Sequence, residues 1–191
     1  MKIDTYIKFT GIDKYGNIIA ERKEEKAHSL VQGFIASLYN MAFNTTVANV
    51  PDTGNVNRTL STSQFSWSNT GYGASGDNTS GIVAGTGTNA VAITNYSLQT
   101  IIPHGTGSGE LEYAGEILDE GWTVSGSTSY FSRKRTLTNN SGGAITINEV
   151  GHIARIGSSG FRILTERTKP IPYEIANGTG VIITYKWQIS V

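Results

Sequence analysis

The sequence predicts a mainly β protein, an antiparallel β-sandwich of the jelly-roll kind with an N-terminal hairpin and one amphipathic α-helix. Three observations carry this expectation. Segments 89–102, 110–118, 121–126, 128–138, 144–156, 160–168 and 180–191 are strand-like runs separated by Gly, Asn or Ser. Glycine, at 23 of 191 residues, stands well above the usual ~7%, and with Ser, Thr and Asn it makes roughly two-fifths of the chain. Only residues 27–43 repeat apolar side chains at helical spacing. Residues 1–43 should therefore form the hairpin and helix, and residues 44–191 the sandwich with a long glycine-rich loop, as one structural unit.

Residues 3–9 alternate, with Ile3, Thr5, Ile7 and Phe9 on one face and Asp4, Tyr6 and Lys8 on the other, which predicts a half-buried strand. Turn residues at 13–17 let Asn17 to Arg22 return as its hairpin partner. Leu30, Val31, Phe34, Ile35, Leu38 and Met41 then form the helical stripe, with Ser29 as the expected N-cap. Burying six such side chains contributes ~10 kcal/mol gross, so the helix must pack against something. Gly33 costs up to ~1 kcal/mol inside a helix and suggests that another backbone passes close there. Arg58 to Trp67 reads as a strand and Asn69 to Gly81 as a long loop of the functional, partner-ordered or mobile kind. Asn139 to Gly143 and Gly157 to Gly160 read as hairpin connections in a series of strands without βα units.

Charge and composition exclude several function classes. Fifteen basic and fifteen acidic residues give a formal net charge of zero, which offers no electrostatic footprint for nucleic acid or an anionic membrane. Charged residues are 16% of the chain against a typical ~25%, so the surface is polar but uncharged. The absence of cysteine removes disulfides, thiolate metal sites and cysteine nucleophiles. The N-terminal residues interleave charges with apolar side chains, so no signal peptide is expected there, and no apolar run approaches the ~18 residues of a membrane span. The chain is therefore expected to be made soluble in the cytosol and to stay there unless an assembly or lysis carries it out.

Candidate chemistry is thin. Glu149 and His152 have E-x-x-H spacing, but on a strand positions i and i+3 point to opposite faces, so no metal site is expected. His28 and His104 stand alone. Gly105-Thr106-Gly107-Ser108-Gly109 puts glycine where a nucleophile elbow needs serine, and Gly85-Thr86-Gly87 lacks the third glycine of a dinucleotide turn. Glu110, Glu112, Glu116, Asp119 and Glu120 cluster, and paired acids serve glycoside hydrolysis. Alternation places Glu110, Glu112 and Glu116 on one strand face, expected to be solvated. Asp77 to Gly81 lacks the ligand alternation of a calcium loop and reads as a polar tip. No cofactor, metal or catalytic residue is expected. Trp67, Tyr72, Trp122 and Trp187 are expected in core or interface.

Three segments, 27–35, 85–98 and 135–151, together resemble segments of tailed-bacteriophage virion structural proteins. Ala27-His28-Ser29-Leu30-Val31-Gln32-Gly33-Phe34-Ile35 is similar to an N-terminal signature of that group, and Gly85 to Val91 leading into Asn95-Tyr96-Ser97-Leu98 to a mid-chain segment. Arg135-Thr136-Leu137-Thr138-Asn139-Asn140-Ser141-Gly142-Gly143-Ala144-Ile145-Thr146-Ile147-Asn148-Glu149-Val150-Gly151 resembles a strand–turn–strand near the C-terminus of capsid- and tail-associated β proteins. Arg162 to Arg167 and Gly180 to Tyr185 fit the same ending.

The resemblance implies a non-enzymatic virion component, and capsid decoration or cementing is the first expectation. The partners are then further copies of the chain and other virion proteins such as the major capsid protein. The alternatives are a tail or neck component, a carbohydrate-binding receptor module and, last, a glycan hydrolase. Leu30, Phe34, Leu38, Trp67 and Tyr72 are the interface candidates.

Overall fold

The computed structural model describes residues 2–27, 30–62, 72–156 and 160–191. The chain is mainly β, and all pairings between its strands are antiparallel. The larger sheet has seven strands. β1 (Lys2–Ile12) pairs along its whole length with β14 (Thr179–Ser190), and β14 with β9 (Thr128–Asn139). β2 (Ile18–Glu21) and β3 (Glu25–Ala27) flank β1, while β7 (Glu112–Tyr113) and β8 (Ile117–Ser125) flank β9. The smaller sheet joins β6 (Gly81–Gly85), β11 (Glu149–Ile156) and β12 (Phe161–Thr168), with β11 central. Two short ribbons, β4 (Val47–Pro51) with β5 (Asn57–Leu60) and β10 (Ile145–Ile147) with β13 (Tyr173–Ile175), complete the strands. Helix α1 spans Gln32–Phe43.

The two sheets share one apolar core. Ile7, Phe9, Leu137, Val181, Ile183 and Tyr185 of the larger sheet pack with Ile82, Val83, Val150, Ile153 and Leu164 of the smaller. The period-2 pattern on β14 shows why: Val181, Ile183, Tyr185 and Trp187 are buried, while the intervening Ile182, Thr184, Lys186 and Gln188 are half-buried on the other face. That outer face carries Lys134 paired with Asp119 at 2.5 Å and Lys186 with Glu24 at 2.6 Å.

The N-terminal hairpin of β1 and β2 forms as the alternation predicts, with Asp13 accepting the backbone N–H groups of Tyr15 and Asn17 at the turn. The helix is shorter than the predicted 27–43. Leu30 instead makes an extended bridge with Glu166, and Val31 is the cap, extended and without a side-chain cap hydrogen bond. Ser29 lies outside the described residues. Gly33 meets the expected close backbone: a Cβ there would run into the Leu164 carbonyl and the Ile163 side chain.

Two further expectations fail for one physical reason, buried charged side chains that collect backbone groups. Segment 89–102 is not a strand. The buried Glu149 carboxylate accepts N–H groups from Gly87, Gln99 and Thr100 and pairs with Arg167 Nε at 2.9 Å, folding that stretch into a loop. The described part of the 69–81 loop is no solvated tip either. Ser80 is buried, and Arg135 inside the fold donates to the carbonyls of Ala74, Asp77, Ser80 and Ile82. The predicted strand from Arg58 to Trp67 is β5, which ends at Leu60, and residues 63–71 lie outside the described residues.

Candidate interaction groove

The inner face of the larger sheet is longer than the smaller sheet that covers it. Exposure along β14 shows where the cover ends: Val181, Ile183 and Tyr185 are at 0%, Trp187 at 5% and Ile189 at 43%. The neighbouring β1 repeats the gradient from Phe9 through Ile7 to Ile3, at 0%, 1% and 36%. Register explains the match, since Ile3 lies opposite Ile189 and Phe9 opposite Ile183. Helix α1 walls the uncovered end and leaves a groove of about 540 Å³. Phe34, Leu38 and Met41 come from the helix, Leu118 and Trp122 from β8, Phe131 and Arg133 from β9, and Trp187 and Ile189 from β14. Trp122 is 77% exposed, with its indole N–H donated to Ser129 at 2.7 Å.

Behind this apolar lining sits a buried polar layer. Trp187 stacks on Phe131 with ring centroids 5.0 Å apart and turns its indole N–H inward to Glu166. Burial pushes the Glu166 carboxyl up to about 8, opposed in part by the hydrogen bond from Trp187. Arg133 Nε lies 2.8 Å from the buried Glu116 carboxylate, whose other oxygen accepts the Ile82 N–H at 2.7 Å. Burial pushes Glu116 upward too, opposed by that N–H and by the nearby arginines. His152 packs its ring edge-on against Trp187, with Nε2 3.9 Å from Glu116. The polar groups thus face inward and the groove presents carbon.

Two of the five interface candidates, Phe34 and Leu38, line this groove. Phe34 is buried as expected; Leu38, expected to be buried with it, is 38% exposed because no strand lies over the uncovered end. Leu30 is not on the helix at all, and its bridge to Glu166 places it in β structure. Tyr72 is half-exposed under the Arg133 guanidinium, 5.3 Å from its ring centre, and Trp67 lies outside the described residues.

The acidic cluster does not form the expected solvated face. Glu116 is fully buried, where its carboxylate accepts the Ile82 N–H and pairs with Arg133. Glu110 accepts the Gly107 N–H in a turn, and Asp119 pairs with Lys134. Among the described residues no group of three or more His, Asp or Glu side chains could hold a metal ion, and no helix is long and apolar enough to cross a membrane. Compared with protein-family models, with curated proteins and with solved structures, the chain matches none.

Phe131, Trp187 and Ile189 were within reach of the sequence, since they continue the odd-numbered inward rows of β9 and β14 beyond the core. Leu118 and Trp122 were masked by the acids between them, which draw attention to catalysis instead of to the apolar pair.

Proposed function

We propose that this chain is a non-enzymatic structural protein of a bacteriophage virion, decorating or cementing the capsid through subunit contacts. The observation that carries the reading is the uncovered apolar end of the larger sheet. Monomeric proteins rarely leave a contiguous apolar surface this extensive, and such surfaces mark contacts with other macromolecules. The segments from Ala27 to Ile35 and from Arg135 to Gly151, similar to those of virion proteins, supply the setting. The partners are further copies of the chain and other shell proteins, the major capsid protein first among them.

The carbohydrate-binding alternative draws support from Trp122, an exposed ring able to stack on a sugar. A sugar also needs several polar side chains aimed at its hydroxyls, and the described lining offers only Ser129, Tyr130, Arg133 and Gln188 beside its apolar residues. Co-sedimentation with empty tailed-phage capsids and with isolated tails tests the proposal. Binding to capsids that is weakened by Trp122→Ala is the expected result. Retention on a glycan array without binding to either particle overturns it.

A further inference from the structure

We propose that the groove receives helix α1 of a second copy, so that two copies exchange helices about a two-fold axis. This rests on the assembly reading above and names the occupant of the same groove.

The first argument is the helix itself. Gln32–Phe43 contains no charged residue, and the side it turns away from the protein is apolar: Ile35, Tyr39 and Phe43 are 52%, 51% and 69% exposed. Their i, i+4, i+8 spacing makes one ridge, with Tyr39 and Phe43 rings 5.0 Å apart. An amphipathic surface helix carries charged or polar side chains on its solvent side, whereas α1 turns Ile35, Tyr39 and Phe43 outward and buries the polar Ser37 and Asn40. In the isolated chain this helix is buried on one side only.

The second argument is area. The ridge continues through Leu38 into the exposed parts of Leu118, Trp122 and Ile189. Together these side chains offer on the order of 800 Å², comparable to the ~800 Å² that one partner contributes to a standard interface. The third argument is charge. Arg133 is the one charged side chain among the described groove residues, and Glu116 already pairs with it. An uncharged ridge entering this groove therefore desolvates almost no charge. Formal neutrality of the whole chain leaves two copies without net repulsion.

Geometry selects the symmetry and the mode. Because α1 is itself the groove wall, ridge and groove lie side by side on one chain. A two-fold axis between them brings each ridge to the other copy's groove, which is the isologous arrangement. Strand addition along β8 is the competing mode, and two features of β8 oppose it. Its pairing with β9 is broken by bulges on either side of Glu120, and Asp119 and Glu120 sit in the middle of the strand. Bulges and charges are the means by which edge strands resist pairing.

Sedimentation velocity of the full chain tests the proposal, using Tyr39→Lys on the ridge and Leu118→Glu in the groove. Both positions are exposed in the isolated chain, so circular dichroism and melting temperature should match the parent. The parent should be a dimer at about 10 µM, and each variant alone a monomer, with association weakened by about 100-fold. An equimolar mixture of the two variants should dimerise again to within about tenfold of the parent, because one parental ridge then meets one parental groove and Lys meets Glu in the other. A parent that stays monomeric at about 100 µM, a mixture that stays monomeric, or a ring larger than a dimer overturns the inference. So does a parent monomer whose groove is filled by an added apolar peptide. Capsid binding is scored separately on the same samples. A monomer that binds capsids overturns helix exchange and leaves the virion reading standing, and a dimer rescued in the mixture that ignores capsids does the reverse.

Discussion

Arg135 holds more of this fold than any other single polar side chain described. Its five N–H donors reach five backbone carbonyls, those of Ala114, Ser80, Ile82, Ala74 and Asp77, at 2.5–3.0 Å. A lysine keeps the charge but has three donors on a point, not a planar fork of five, so carbonyls are left buried and unpaired. Arg135→Lys is therefore expected to cost ~2–4 kcal/mol in urea unfolding; a midpoint unchanged from the parent would show that the loop from Gly73 to Ile82 does not depend on it. Glu166 makes a second residue-scale prediction. Its folded value of about 8 lies above its ordinary 4.5, so its stability contribution is fully present below pH 4.5 and is lost as pH rises toward 8. The slope is ~1.4 kcal/mol per pH unit while only the unfolded chain is ionised. On the acid side, the hydrogen bond from Lys26 holds Asp4 below its usual range, and that contribution is lost below pH ~4. Thermal melts should peak in mildly acid buffer and decline toward pH 8, and Glu166→Gln should flatten the decline. A Gln variant with the same slope would mean that another group sets it.

At the scale of elements, the close approach at Gly33 decides where helix α1 sits. Alanine gains ~1 kcal/mol of helix propensity over glycine, yet its Cβ would meet the Leu164 carbonyl, which belongs to the paired strands β11 and β12 and cannot move alone. Gly33→Ala should therefore destabilise by ~1–3 kcal/mol net, read from chemical denaturation, and a stabilised variant would mean that the helix can lift off β12. The conflict between propensity and position was legible in the sequence, as were β1, β2, β9, β12 and β14, because alternation and turn residues are local signals. Elements whose cause is distant were not. Gly81–Gly85 is buried at all five positions, but its Gly-Ile-Val-Ala-Gly run is too short and too glycine-rich to read as a buried strand. The loop from Thr86 to Thr100 depends on Glu149, about fifty residues downstream, and no local pattern announces it. The groove was half legible: the helix stripe named Phe34 and Leu38, while the wall formed by Leu118 and Trp122 depends on where the smaller sheet stops.

The whole molecule has one wet sheet face and one end of the other face left dry, and this asymmetry predicts how association responds to solution conditions. The outer face of the larger sheet is laced with Lys8–Glu21, Lys134–Asp119 and Lys186–Glu24 pairs, each with at least one partner a quarter or more exposed. Contacts made through that face would exchange these pairs for intermolecular ones, and screening would weaken them as salt rises past the ~10 Å Debye length of 0.1 M. Contacts made through the groove bury carbon, with Arg133 already neutralised from within by Glu116. Burial of apolar surface is not screened, and its signature is a negative heat-capacity change on association. The dissociation constant should accordingly shift by less than about threefold between 50 mM and 500 mM NaCl, while calorimetry at several temperatures returns a clearly negative slope of enthalpy. The two measurements fail together if the outer face is the contact: association then weakens by an order of magnitude or more over that salt range, and the enthalpy is nearly independent of temperature. Ammonium sulfate, which strengthens apolar burial by exclusion from protein surfaces, should tighten association through the groove and so separates the two faces a third time.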